Sequence, residues 1–314
     1  MEYEEKISPF VLYEKATYKR TKYPDATKDN IKKMLVDGSL TKMHDMVLNI
    51  LCSFGYLNSY MIREYLKYLS SGEYDYNSQR MRKVMKEFVR TGFVVQYEMF
   101  HKEEDKELGS PFIYCLSNGG VKYLKKQGNY YVHPVLKKRF CLTDVLELLA
   151  LNQYHITLMC EYGLENNILE NDYYSKNFKE HGIPLMYRLK MPFGGNFVMY
   201  VNVVRENDDE WIKKYLMSMK KLSKFLEINN INNYIVITVV ETEYMAMLCA
   251  KRKNCVAEIK DMINYYITDT AILVDDIFSR LINVLPKNDY SYREIFSLEL
   301  REKNRKEENY EEEK

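Results

Sequence analysis

Gln79, Arg82, Lys83, Lys86 and Arg90 recur at helical spacing along one side of a short stretch, with Arg80 beside them. The other side of that stretch carries Met81, Val84, Met85 and Phe88, a period that places an apolar face against a core. The result is a cationic ridge on a rigid helix. Such a ridge suits a polyanion. A planar guanidinium can bond O6 and N7 of a guanine together, and an ammonium offers a point charge to phosphate. The competing explanation is a solvated helix face with no ligand, so the surrounding elements have to decide.

Those elements have a telling order. Thr41 has N-cap chemistry, and Met43, Met46, Val47, Ile50, Leu51 and Phe54 then follow a helical period that ends at Gly55. Asn58 or Ser59 caps a second helix, buried through Met61, Ile62, Tyr65, Leu66 and Leu69 and stopped by Ser70-Ser71-Gly72. The basic helix begins at Ser78 and closes at Gly92. A strand (Phe93 to Phe100), a charged tip (His101 to Gly109) and a second strand (Pro111 to Leu116) come next, then a short helix from Ser117 with Val121, Tyr123 and Leu124 inward, ended by Gly128. Two helices, a basic helix and a two-stranded wing are the parts of a winged helix, with Gln79, Arg80, Arg82, Lys83, Lys86 and Arg90 as its DNA-binding residues. The tip His101-Lys102-Glu103-Glu104-Asp105-Lys106-Glu107 holds more acids than bases, which argues against tight wing contact.

Composition limits the alternatives. At 314 residues the chain has room for roughly two domains. Lys and Arg number 46 against 45 Asp and Glu, so any nucleic-acid surface must come from local segregation of charge. Cys52, Cys115, Cys141, Cys160, Cys249 and Cys255 include no C-x-x-C pair, and the five histidines form no H-x-x-x-H, so no metal or cofactor is expected. The start MEYEEKISPF lacks an apolar core, and no apolar run reaches the ~20 residues of a membrane span. A cytoplasmic location without membrane contact is expected. Residues up to about Ser39 show no period. There Tyr18-Lys19-Arg20-Thr21-Lys22-Tyr23 is read as a loosely packed extension, with an arm on DNA phosphates as the sharper alternative.

The second half predicts a long helix from Thr143 with Val145, Leu146, Leu149, Leu158 and Met159. Strands Leu185 to Lys190 and Asn196 to Val204 flank a Gly194-Gly195 turn. A helix with Trp211, Ile212, Tyr215, Leu216, Met219, Leu222, Phe225 and Leu226 follows, then a β-branched strand from Tyr234 to Val240. Helical periodicity is read again from Ile259 towards Leu285. The end, Arg301 to Lys314, reads as a solvated tail. Glu206, Asp208, Asp209 and Glu210 are the best acidic cluster, but acids just before the helix at Trp211 are explained by its dipole.

The helix pair, the basic helix, the wing, the step Leu116-Ser117-Asn118-Gly119-Gly120 and the run Asn152-Gln153-Tyr154-His155 together resemble the replication-relaxation family. The likeness covers roughly Leu40 to Val240. It implies a protein of a plasmid or other mobile element of Gram-positive bacteria, with a winged helix followed by a domain like the restriction-endonuclease fold. A magnesium site on that fold wants a Pro-Asp step and further acids on the next strand. Here Pro184 is followed by Leu185, and Asn202 and Val204 stand where acids are needed.

The expectation is therefore an α+β protein: extension 1–39, winged-helix domain 40–134, small α/β nuclease-like domain 135–296 and charged tail 297–314. It is expected to bind double-stranded DNA sequence-specifically as a homodimer, in replication, transfer or regulation, with possible replication or transfer proteins as partners. It is expected to be no enzyme, with no catalytic residue, cofactor or metal. The competing readings are a metal-dependent DNA nuclease or nickase and a protein–protein adaptor.

Overall fold

A computed structural model describes residues 10, 17–21, 23–37, 40–100, 112–129, 133, 136, 140–162, 185–190, 196–206, 210–273, 277–284 and 290–292. The fold is mixed α+β with two separate sheets. The chain divides into two compact units: Leu12–Asn152, and Gln153–Lys314 together with Met1–Val11. The division falls inside the long helix Leu142–Tyr162, rather than at the 134/135 step suggested by turn residues.

In the N-terminal unit, helix α1 (Lys28–Val36) precedes α2 (Lys42–Phe54), the two-residue strand β2 (Leu57–Asn58), α3 (Ser59–Leu69), α4 (Ser78–Arg90), β3 (Val94–Phe100), β4 (Phe112–Leu116) and α5 (Asn118–Lys126). Cap chemistry sets these boundaries. Thr41 and His44 form a capping box at α2, while Asn58, Asn77 and Ser117 each accept from a backbone N–H in the first turn of α3, α4 and α5. The buried sides of α2 and α3 include Val47, Leu51, Met61, Ile62 and Leu66, as their spacing predicts; Tyr65 is only half-buried and Leu69 is exposed.

The residues before Ser39 depart from expectation. Thr17–Arg20 is not a loose extension but a strand, β1, paired antiparallel to β3, so the sheet runs β1-β3-β4-β2. Tyr18 explains the attachment: its ring lies 4.3 Å from Phe140, which in turn stacks on Tyr97 at 4.0 Å. The following turn and α1 are fastened by close backbone approach. The Ala26 N–H bonds Gly92 O at 2.9 Å, and a Cβ on Gly92 would lie 2.3 Å from Pro24 O. Gly92 also has φ +78°, so both its conformation and its surroundings exclude a side chain.

In the C-terminal unit the sheet order is β10-β9-β8-β7-β6-β5. Strands β5 (Leu185–Lys190) and β6 (Asn196–Val203) form an antiparallel pair, and β7 (Tyr234–Val240) and β8 (Asn264–Thr268) continue the sheet in parallel with β6. The short strands β9 (Ile282–Val284) and β10 (Tyr290–Tyr292) complete the edge. Helix α7 (Trp211–Ile228) joins β6 to β7, and α8 (Glu243–Asn254) joins β7 to β8. One core holds Tyr215, Met219 and Leu222 of α7, Met245, Ala246 and Cys249 of α8, and Tyr200, Val236 and Tyr266 of the strands. The latter half of the helix Leu142–Tyr162 (α6) also packs in this unit, where the Tyr154 hydroxyl meets Met199 Sδ at 3.6 Å.

The expected helix from Ile259 towards Leu285 is corrected. The helix lies earlier, in α8, and the later residues form β8, two 3₁₀ turns and β9. Ile259, Met262 and Tyr266 share helical spacing by coincidence; they line one core from a turn and a strand. The wing tip His101 to Gly109, the turn at Gly194-Gly195, Lys22, Asp208, Asp209, Asp275-Asp276 and the tail 301–314 lie outside the described residues.

Candidate nucleic-acid interface

Helix α4 is anchored through Met81, Met85, Phe88 and Val89, all buried. The Phe88 ring meets His44 edge-on at 5.0 Å, and burial holds the His44 pKa below its ordinary value despite nearby Glu87 and Asp45. With that face fixed, helical geometry turns Gln79, Arg80, Arg82, Lys83, Lys86 and Arg90 outward, and all six are exposed. None of the five cations pairs with a carboxylate among the described residues. Glu87 is the one acid on the helix.

The N-terminal end of α4 is built with particular care. Asn77 Oδ1 accepts from the Arg80 N–H at 2.8 Å, and Arg63 donates from α3 to Ser78 Oγ at 2.7 Å. The connector acids are drawn away: Glu73 pairs with Lys42 of α2 at 3.4 Å, and Asp75 with Lys67 of α3 at 2.8 Å. Arg80 instead lies over the Tyr76 ring, its guanidinium carbon 4.1 Å from the centroid. These exposed lysine–acid pairs add little stability. Their effect is on the field, because they keep negative charge off the cationic ridge.

A second group of charges, missed in the sequence, lies in the C-terminal unit. Glu241 and Asp269 directly follow the last residues of the parallel strands β7 and β8, and Arg205 lies two residues past the end of β6. Arg205 makes two hydrogen bonds to Asp269, at 2.9 and 2.6 Å, with both side chains fully buried. Glu241 is 8% exposed; its Oε2 accepts from the Glu206 N–H at 3.4 Å, and its Oε1 has no hydrogen-bond partner. Burial pushes the Glu241 carboxyl up to about 7, against the pull of Arg205 and with a further push from Asp269 and Glu206. An acid directly after an apolar strand, as in the runs ending Val240-Glu241 and Thr268-Asp269, is the signal that marks such positions. With both oxygens held by Arg205, Asp269 is occupied as an ion-pair partner. No group of three or more His, Cys, Asp and Glu suited to a metal ion occurs among the described residues.

The remaining sequence candidates divide between buried packing positions and exposed acids at the surface. Asn202 is buried, its Oδ1 accepting from the Val203 N–H at 3.0 Å. Glu206 is exposed, and Glu210 pairs with Lys213 at 3.2 Å at the start of α7 without capping it through its side chain. In the run Asn152 to His155, the Asn152 amide donates to Phe54 O at 3.0 Å and Tyr56 O at 2.9 Å, which holds the C-terminal end of α2. His155 bonds the Tyr187 hydroxyl at 2.6 Å, and burial lowers its pKa to about 3, so the imidazole stays neutral. No helix among the described residues is long and apolar enough to cross a membrane. Comparison with protein-family models, curated proteins and solved structures finds no match.

Proposed function

We propose that this chain binds double-stranded DNA, with α4 as the recognition helix of a winged-helix domain. The observation that carries the reading is the exposed, unpaired cationic row on α4, placed between a helix pair and a hairpin. The topology supports it further: β2 sits between α2 and α3 in sequence yet pairs with β4, so helix, short strand, helix, basic helix and hairpin share one small sheet. In that arrangement the N-terminal residues of the recognition helix reach base edges, while outer lysines meet phosphates. Two copies reading half-sites about one helical turn apart is the usual way such a domain gains specificity. The resemblance to replication-relaxation proteins favours a role in plasmid or mobile-element replication, transfer or regulation.

The C-terminal unit, likened above to a restriction-endonuclease fold, is read as catalytically silent and used for packing or partner contact. Its strand-end acids are engaged with arginine or disfavoured as anions, the reverse of what a magnesium site needs. Duplex binding by the full chain, measured over a salt series, tests the first claim. Affinity should fall steeply as salt rises, and Arg82→Ala with Lys86→Ala should weaken binding and flatten that slope. Equal binding by the double variant at equal salt would remove α4 from the interface. Nicking of supercoiled DNA with magnesium or manganese, lost in Glu241→Gln, would overturn the silent reading of the second unit.

A further inference from the structure

We propose that Arg80, stacked on Tyr76, selects guanine in the DNA that α4 engages, with Tyr76 as its positioning residue; this rests on the duplex-DNA reading above. The five cations of α4 are not equivalent. Among the described residues, Arg80 is the one of them that lies over an aromatic face, and it does so in the first turn, where a recognition helix meets base edges. Its backbone is fixed by the Asn77 cap. Tyr76 is itself held edge-to-face by Tyr74 at 6.1 Å, and the Tyr74 N–H bonds Ser70 Oγ at 3.0 Å.

The chemistry follows from this support. The Tyr76 ring covers one side of the guanidinium and leaves N–H groups free to donate elsewhere. Guanine presents O6 and N7 side by side in the major groove, and a fork held in one plane can meet both. A free arginine must first lose the freedom of a long side chain, whereas here the ring has already restricted it. The acids that could capture the fork, Glu73 and Asp75, are each drawn to a lysine on another helix. Arg82, Lys83, Lys86 and Arg90 lack such a platform among the described residues and suit the less directional demands of phosphate.

The test uses the full chain and duplexes selected from a random-core library by the wild-type protein. The selected sites should share a guanine, and replacing it with 7-deazaguanine, which lacks the N7 acceptor, should weaken wild-type binding by about tenfold. Arg80→Lys keeps the charge, so the salt slope should hold while the 7-deazaguanine substitution becomes silent. Tyr76→Leu should cut the guanine preference severalfold with salt slope and thermal midpoint unchanged, a pattern that a purely structural tyrosine does not give. Arg80→Lys and wild type equally sensitive to 7-deazaguanine, or salt-sensitive binding with no guanine preference, would overturn the assignment and leave duplex binding standing. Absence of binding to any duplex would overturn both.

Discussion

The α4 ridge and the strand-end cluster of the C-terminal unit handle charge in opposite ways. On α4, five cations stand in solvent with no carboxylate partner among the described residues, while the connector acids Glu73 and Asp75 pair with lysines of α2 and α3. Behind β6, β7 and β8, Arg205 and Asp269 are sealed from solvent and satisfy each other twice. A buried pair is a poor reagent, since its charge is already spent on an internal partner. Exposed unpaired charge is costly to assemble in one place and gains only when a counter-charge arrives. The contrast is why binding is proposed for the first region and an architectural role for the second.

The largest effect should come from breaking the buried pair. Asp269→Ala leaves the Arg205 guanidinium without its counter-ion in the core, which costs about 3–5 kcal/mol. Denaturant unfolding of the full chain should show the loss, while duplex affinity of folded protein stays within twofold or so of wild type. Arg205→Met combined with Asp269→Leu should recover much of the stability, because matched removal strands no charge. If the double variant were as unstable as Asp269→Ala, the pair would have a role beyond its own neutralisation.

Glu241 gives the next effect, and it depends on pH. The folded protein holds this carboxyl at about 7, above the ordinary value of 4.5, so the folded state binds the proton more tightly than the unfolded one. Stability from this group is therefore present below about pH 4.5 and declines as pH rises through about 7, by up to roughly 3 kcal/mol at about 1.4 kcal/mol per unit. Glu241→Gln should remove that decline and make the protein more stable than wild type at pH 8, with little difference at pH 5. Parallel pH profiles for the two proteins would mean that Glu241 finds a compensating partner when ionised.

How much of this was legible in the sequence depends on how each element is held. Helices α2, α3 and α4 each bury one stripe against one core, so spacing alone located them, and Ser78 and Gly92 marked the ends of α4. Helix α8 escaped because its buried positions, Met245, Ala246, Cys249 and Ala250, are joined by Lys253, a cation that a stripe search counts as surface. Lys253 is buried because its ammonium donates to the carbonyls of Lys260 at 2.9 Å and Met262 at 2.7 Å. Strand β1 is too short to show alternation, and Tyr18 is held by the rings of Tyr97 and Phe140, both far along the chain. The six outward residues of α4, Gln79 and five cations, were readable because helical periodicity exposes them. The tie between Arg205 and Asp269 was not, because pairing across β6, β7 and β8 brings together residues that local pattern keeps apart.

On the exposed side, Arg82→Ala with Lys86→Ala removes two phosphate contacts and should weaken duplex binding by about 10- to 50-fold at about 0.1 M salt, with a flatter salt slope. Its unfolding midpoint should hardly move, since surface substitutions of this kind stay within about 0.5 kcal/mol. That pairing of a large binding effect with a small stability effect is the mirror image of Asp269→Ala. A comparable loss in both measurements would place these side chains in the fold and dissolve the contrast.

The smallest effect should come from Glu87, the one acid on α4, and it has the opposite sign. Glu87 is exposed and lies one turn from Lys83 and from Arg90. Spacings of three and four residues let a carboxylate share charge with those cations and repel an approaching phosphate. Glu87→Gln keeps size and helix propensity while removing the negative charge. Duplex affinity should rise by about two- to fivefold at low salt, a gain of the order of one surface charge, and the gain should shrink as salt screens it. A fluorescence titration at two salt concentrations reads this directly. Unchanged affinity at low salt would place Glu87 away from the DNA face, which would turn the bound duplex towards the N-terminal half of α4, where Arg80 stands on Tyr76.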